Sequence, residues 1–160
     1  MSLTNLNKIE KPTRYLGGEL GSITKELERV DVRFALAFPD TYEIGMSHLG
    51  YGILYHVLNG VDWIAAERCY APWPDMEALL RADGEPLRSL ENQQPLADFD
   101  VVGFSLQYEL SYTNILNMLD LADIPRRRGD RSEKHPLIVV GGPCAFNPEP
   151  LANFIDCAII

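Results

Sequence analysis

Five short apolar runs punctuate the chain, and each is continuous rather than alternating. They cover residues 33–38, 63–69, 101–106, 137–141 and 157–160, with Val101-Val102-Gly103-Phe104-Ser105-Leu106 and Leu137-Ile138-Val139-Val140 the clearest. A strand that is apolar on every residue is buried on both faces. Between the runs lie segments of helical period. The first spans Ser47 to Asn59, with Ser47 as N-cap and Asn59-Gly60 as the stop. The second spans Pro74 to Ala82, with proline in its first turn and Asp83-Gly84 closing it. The third runs from Tyr112 to Ala122 on Ile115, Leu116, Leu119 and Leu121, and a short fourth from Glu149 to Phe154. Strand and helix therefore alternate, which predicts an α/β fold: a parallel sheet with helices on both faces. Right-handed crossovers make it doubly wound, and the flavodoxin-like order 2-1-3-4-5 is expected for the five strands.

Outside this alternation the pattern weakens. Residues 1–31 read as a peripheral N-terminal arm, and the α/β domain as 32–160. Met1-Ser2-Leu3 has the look of an expression scar, and Lys11 to Gly18 of an extended arm leading into a turn. Arg88-Ser89-Leu90 reads as a minor extended piece near an edge, and Arg126 to Arg131 as a solvated loop. Asp156-Cys157-Ala158-Ile159-Ile160 begins a buried strand without the turn that should follow, so the domain is expected to be cut from a longer protein.

Composition narrows the class. A chain of 160 residues, 46% hydrophobic and 23% charged, fits one ordinary globular domain and excludes disordered, collagen-like and disulfide-framed chains. No run approaches the roughly 18 apolar residues of a membrane span, and no secretory apolar region opens the chain. Fourteen basic against 23 acidic residues leave a formal net charge of −9, which argues against nucleic acid as a partner. Cys69, Cys144 and Cys157 are too far apart for a C-x-x-C or a C-x-x-x-C-x-x-C motif and read as reduced, partly buried thiols of a cytoplasmic protein. His48, His56 and His135 show no metal-ligand spacing, so no metal site is assigned.

In an open sheet of this order, ligands bind beyond the carboxyl ends of the strands, where the order reverses between the first and third. The loops there are 39–47 and 105–111, with 141–148 as a third wall. Gly141-Gly142 either lets another chain or ligand approach the backbone closely or serves a turn that needs positive φ. Neither Gly-rich phosphate motif occurs. Asp40, Glu43 and Glu109 could form an acid–base pair, but solvated loop carboxylates or a helix-capping Asp are the expected reading, and no catalytic residue is assigned. Tyr42, Tyr108 and Tyr112 are candidates for the crevice wall, with half-buried core tyrosines the commoner case.

Several long blocks then stand out in order: residues 11–19, 38–50, 68–73, 103–109 and 141–150, the last reading Gly-Gly-Pro-Cys-Ala-Phe-Asn-Pro-Glu-Pro. Together they resemble the N-terminal region of a family of uncharacterised bacterial radical S-adenosylmethionine (SAM) proteins. In that family a cobalamin-binding-like α/β domain precedes the radical barrel. The resemblance covers the chain from about residue 8. It implies that the 4Fe-4S cluster and S-adenosylmethionine belong to a barrel downstream of Ile160, which is the expected partner. It makes cobalamin the candidate cofactor of this domain, lying over Tyr42, Gly45, Ser105, Gln107, Gly141, Gly142 and Pro143. The cobalt-ligating D-x-H-x-x-G pattern is absent, since Met46 precedes His48 by two and Tyr51 follows it by three. Two alternatives stay open: an interaction domain of the same fold with no ligand, and a stand-alone flavodoxin-like enzyme or receiver. The oligomeric state is not legible.

Overall fold

Strands β1 (Val32–Phe38), β2 (Ile64–Tyr70), β3 (Val101–Ser105), β4 (Leu137–Gly141) and β5 (Cys157–Ile159) pair in the order β2-β1-β3-β4-β5, every pair parallel. This is the predicted flavodoxin-like arrangement. The computed structural model describes residues 7–160, so the assignment of Met1-Ser2-Leu3 lies outside the described residues. The β1–β2 connection carries α1 (Tyr42–Ser47) and α2 (Leu49–Asn59); α3 (Pro74–Asp83) and α4 (Tyr112–Leu121) follow β2 and β3.

The pleat sorts each strand's side chains between two unequal layers. Ala35, Ala37, Val102, Phe104, Ile138 and Val140 meet Met76, Leu79 and Leu80 of α3 and Ile115, Met118 and Leu119 of α4 in the larger core. Leu36 and Phe38 meet Tyr51 and Tyr55 of α2 in the smaller one, joined by Tyr70 and Leu90. Helices lie on both faces, but α2 covers only the β1–β2 half of its own.

Three local expectations change. The predicted helix from Ser47 is two helices. Ser47 ends α1, its hydroxyl bonding back to the carbonyls of Glu43 and Ile44 at 2.9 Å each. His48 caps α2 instead, its Nδ1 accepting the Tyr51 amide at 3.2 Å. In place of the predicted helix from Glu149 to Phe154 there is one 3-10 turn, Glu149–Leu151, and a second 3-10 turn, Pro143–Phe146, precedes it. Pro143, Pro148 and Pro150 remove amide donors that a longer helix would need. The loop from Arg126 is not wholly solvated. The nearly buried Arg131 guanidinium holds Asp156 at 3.0 Å, and Asp156 also accepts the Ile138 amide at 2.8 Å, which ties the entry of β5 to β4.

The N-terminal stretch is docked, with a 3-10 turn at Pro12–Tyr15 in place of an extended arm. Ile9 and Arg14 are buried. Lys25 donates to the carbonyls of Val61 and Ile64 at 2.8 and 2.6 Å. Beside the outer edge of β2, Leu90 donates to the Arg68 carbonyl at 2.7 Å, and Arg88 bridges to Pro95. That occupies part of an edge that would otherwise pair with a foreign strand.

Adjacent residues of β4 test the two-layer description. Ile138 is 0% exposed and Leu137 57%. Truncating Ile138→Ala is expected to cost about 2–5 kcal/mol, and Leu137→Ala within roughly 0.5 kcal/mol of nothing, by urea denaturation.

Candidate functional site

The carboxyl ends of β1 and β3 face one another across the switch point of the sheet, and the chain's own side chains bridge it. The Tyr108 hydroxyl donates to the Asp40 carboxylate. That bond, and then burial, raises the Tyr108 phenol above its usual value. Asp40 also accepts the Thr41 amide at 2.7 Å, and Asn114 donates to the Pro39 carbonyl at 2.9 Å. Tyr112 reaches the Cys144 carbonyl at 3.4 Å. Phe146 does not fill the crevice and is 74% exposed.

The seven residues predicted to meet a cofactor divide. Ser105, Gln107, Gly141, Gly142 and Pro143 line one groove of about 530 Å³ that begins at the strand ends and runs down the α2 face between α2 and the sheet. Gln107 donates its amide to the Ser105 hydroxyl at 3.0 Å. Gly142 has φ +107°, and a Cβ there would stand 2.6 Å from the Leu106 carbonyl oxygen. Its lack of a side chain thus serves the chain's own turn, in which the Ala145 amide donates to the Gly142 carbonyl at 3.0 Å, beside the Leu106 amide on the Gly141 carbonyl at 2.7 Å. Tyr42 and Gly45 lie elsewhere. Tyr42 packs edge-on against Tyr70, ring centroids 5.4 Å apart, and donates to Glu19 at 3.2 Å. Gly45 lies under Tyr70, where a Cβ would come within 2.4 Å of the ring.

The loop carboxylates are not brought together as an acid–base pair. Asp40 serves Tyr108, whereas Glu43 binds Arg14 through Nε at 2.8 Å and Nη2 at 2.7 Å, with Lys11 at 3.5 Å. The hydrogen bond from Arg14 holds the Glu43 carboxyl below its usual value. The His48 ring, besides capping α2, rests 5.3 Å from Phe38. The three thiols are free: Cys69 buried, Cys144 partly exposed and Cys157 exposed. Among the described residues no group of three or more His, Cys, Asp or Glu is placed to hold a metal ion, and no helix is long and apolar enough to cross a membrane.

A buried polar cluster escaped the sequence reading. Arg68 on β2 gives its amide and Nε to Glu91, each at 2.6 Å, and lies 4.4 Å over the Tyr55 ring. Burial raises the Glu91 carboxyl, against the pull of Arg68. Neighbouring Glu67, 1% exposed, accepts from the Ser89 hydroxyl at 2.6 Å and from the Asn92 amide and side chain at 3.1 and 2.6 Å. The available signal was Glu67-Arg68 itself, two charges inside an apolar run. These bonds fasten residues 89–92 to β2, so the cluster is a structural clasp.

With this geometry in view, one comparison identifies the domain. The family model described as "Radical SAM proteins, N-terminal" matches residues 50–160. The chain belongs to that family. No curated protein matches it. The match runs from the second residue of α2 through β5, so it includes the β3 and β4 loops of the radical SAM N-terminal domain and the groove residues they carry, while Phe34, Leu36 and His48 of the groove precede it.

The Arg14–Glu43 bond ties the N-terminal stretch of this domain to α1, and its pH dependence has a definite sign. A carboxyl lowered on folding stabilises the fold above its unfolded pKa and loses that contribution as pH falls through the folded value. Glu43→Gln is therefore expected to lower stability at pH 7 and to converge on the parent below about pH 4, in urea titrations across that range.

Proposed function

We propose that this domain is a non-catalytic lid on the radical SAM portion of its own protein, meeting it through the carboxyl ends of its strands. The observation that carries the reading is the bridged switch point. Where a small ligand would enter between β1 and β3, Tyr108 and Asp40 already hold each other. Around the bridge, the segments after successive strands expose apolar residues: Ile44 of α1 after β1, Trp73 after β2, Leu110 after β3 and Phe146 after β4, with Leu110 85% exposed. Apolar loop tips at one end of a sheet suit docking to a second body better than facing water. On this reading the cluster and S-adenosylmethionine belong to a barrel elsewhere in the same protein, and the lid's work is to exclude water from it.

The test uses the full-length protein. Leu110→Asp with Phe146→Asp leaves the domain's own thermal unfolding within a few degrees, since both side chains are exposed. Hydrogen exchange in the barrel segments that face the domain is expected to rise. Unchanged exchange there would overturn the lid.

A second reading, cobalamin binding, has its own support. Five of the seven predicted residues share one groove, with the Ser105 hydroxyl and Gln107 amide at its mouth and apolar walls below. That suits one edge of a flat heterocycle. These groups would orient a corrinoid, which would itself supply the organometallic chemistry. His48 spends Nδ1 on the Tyr51 amide and Tyr108 spends its hydroxyl on Asp40, so neither belongs to this cradle as it stands. Co-elution of hydroxocobalamin with the full-length protein and a shifted corrin spectrum are expected on this reading; no retention sinks it.

A further inference from the structure

We infer that the bare half of the α2 face is covered, in the full-length protein, by an amphipathic helix from the chain that follows β5. This rests on the reading that a radical SAM portion follows the domain. The strand register defines the bare surface. On the α2 face, Phe34, Val101 and Leu137 form one row across the sheet. Leu36, Gly103, Val139 and Cys157 form the next, and Ser105, Gly141 and Ile159 the third. The α2 helix reaches only the β1 end of these rows. On the opposite face of the same strands Val102, Phe104, Ile138 and Val140 are fully buried, whereas Ile159 is 62% exposed. Facing this surface, α2 presents Leu54 and Val57, also exposed, so the groove is apolar on its floor and on one wall.

A parallel sheet is stable when both faces are covered, and crossover handedness says where the missing cover comes from. The steps β2→β3, β3→β4 and β4→β5 all move one way across the sheet, and right-handedness sends α3 and α4 to the same face. The step β1→β2 moves the other way and puts α2 on the opposite face. A chain leaving edge strand β5 and returning over the sheet moves in that second sense. It lands on the α2 face, and Ile159 at the groove's lip is its point of departure. From Leu137 to Gly141 the floor is about 13 Å long at roughly 3.3 Å per residue, which a helix of about nine or more residues spans. Its apolar stripe would meet Val139 and Ile159 below and Leu54 and Val57 beside it, leaving the mouth at Ser105 and Gln107 open.

Native Cys157 lies on this face and reports on it. Iodoacetamide labelling, followed by peptide mass spectrometry, is compared between the 160-residue chain and the full-length protein, in the parent sequence and in Leu54→Cys. Both Cys157 and Leu54→Cys are expected to react at least tenfold more slowly in the full-length protein. Continuation of the chain past β5 could shield Cys157 by proximity but not position 54 on α2, so protection of Cys157 alone overturns the inference. Equal rates in both forms overturn it too. So does protection already present in the 160-residue chain that strengthens with protein concentration, since a second copy is then the cover. Cys144, in the loop after β4, reports on the strand-end rim separately: its protection without that of Cys157 and position 54 would keep the lid and remove the helix. The iron–sulfur absorption of the full-length protein checks that a radical SAM portion follows at all.

Discussion

A parallel sheet satisfies its backbone only through neighbouring strands and is stable only when apolar layers cover both faces. That constraint organises this molecule. It sends each connection across the sheet, and with right-handed crossovers it sends α3 and α4 to one face and α2 to the other. The α3/α4 layer is complete: Val102, Phe104, Ile138 and Val140 are all buried there. The opposite layer stops with α2 at β1 and β2, and the groove beyond it is the same constraint left unmet.

The edges of the sheet are managed by charge rather than by further strands. At β2 the clasp of Glu67, Arg68, Glu91, Ser89 and Asn92 holds residues 89–92 against the outer edge. At β5, the Arg131–Asp156 pair secures the shortest strand to β4. Removing one partner of a buried pair of this kind strands the other's charge, which costs more than the intact pair contributes. The N-terminal stretch adds Arg14–Glu43 and Lys25 with two carbonyls, which makes it part of the body of the domain.

Much of the fold was legible along the chain, because the strands of a helix-covered parallel sheet carry uninterrupted apolar runs, which β4 keeps although its α2 face is half bare and Leu137 is 57% exposed. Boundaries of β1, β3 and β4 fell within a residue or so for that reason. The division of the helix after β1 was not legible: a histidine used as an N-cap looks, in sequence, like any helical residue. The proline-broken turns before β5 carried their signal in Pro143, Pro148 and Pro150, each of which lacks the amide donor a helix needs. Of the candidate site, Ser105, Gln107 and Gly141–Pro143 share a groove because all five end adjacent strands. Tyr42 and Gly45 follow β1 as well, but packing against Tyr70 turns them toward β2.

The amino-acid sequence alone determined the strands, their parallel pairing and their order, since these follow from local periodicity and from handedness. It also carried the match to the radical SAM N-terminal family over residues 50–160. Only the tertiary structure decided that Tyr108 reaches Asp40 across the switch point, that Glu43 answers Arg14, and that one face of the sheet is half bare. Those outcomes depend on which side chains from distant segments share a volume, and no period within one segment encodes that.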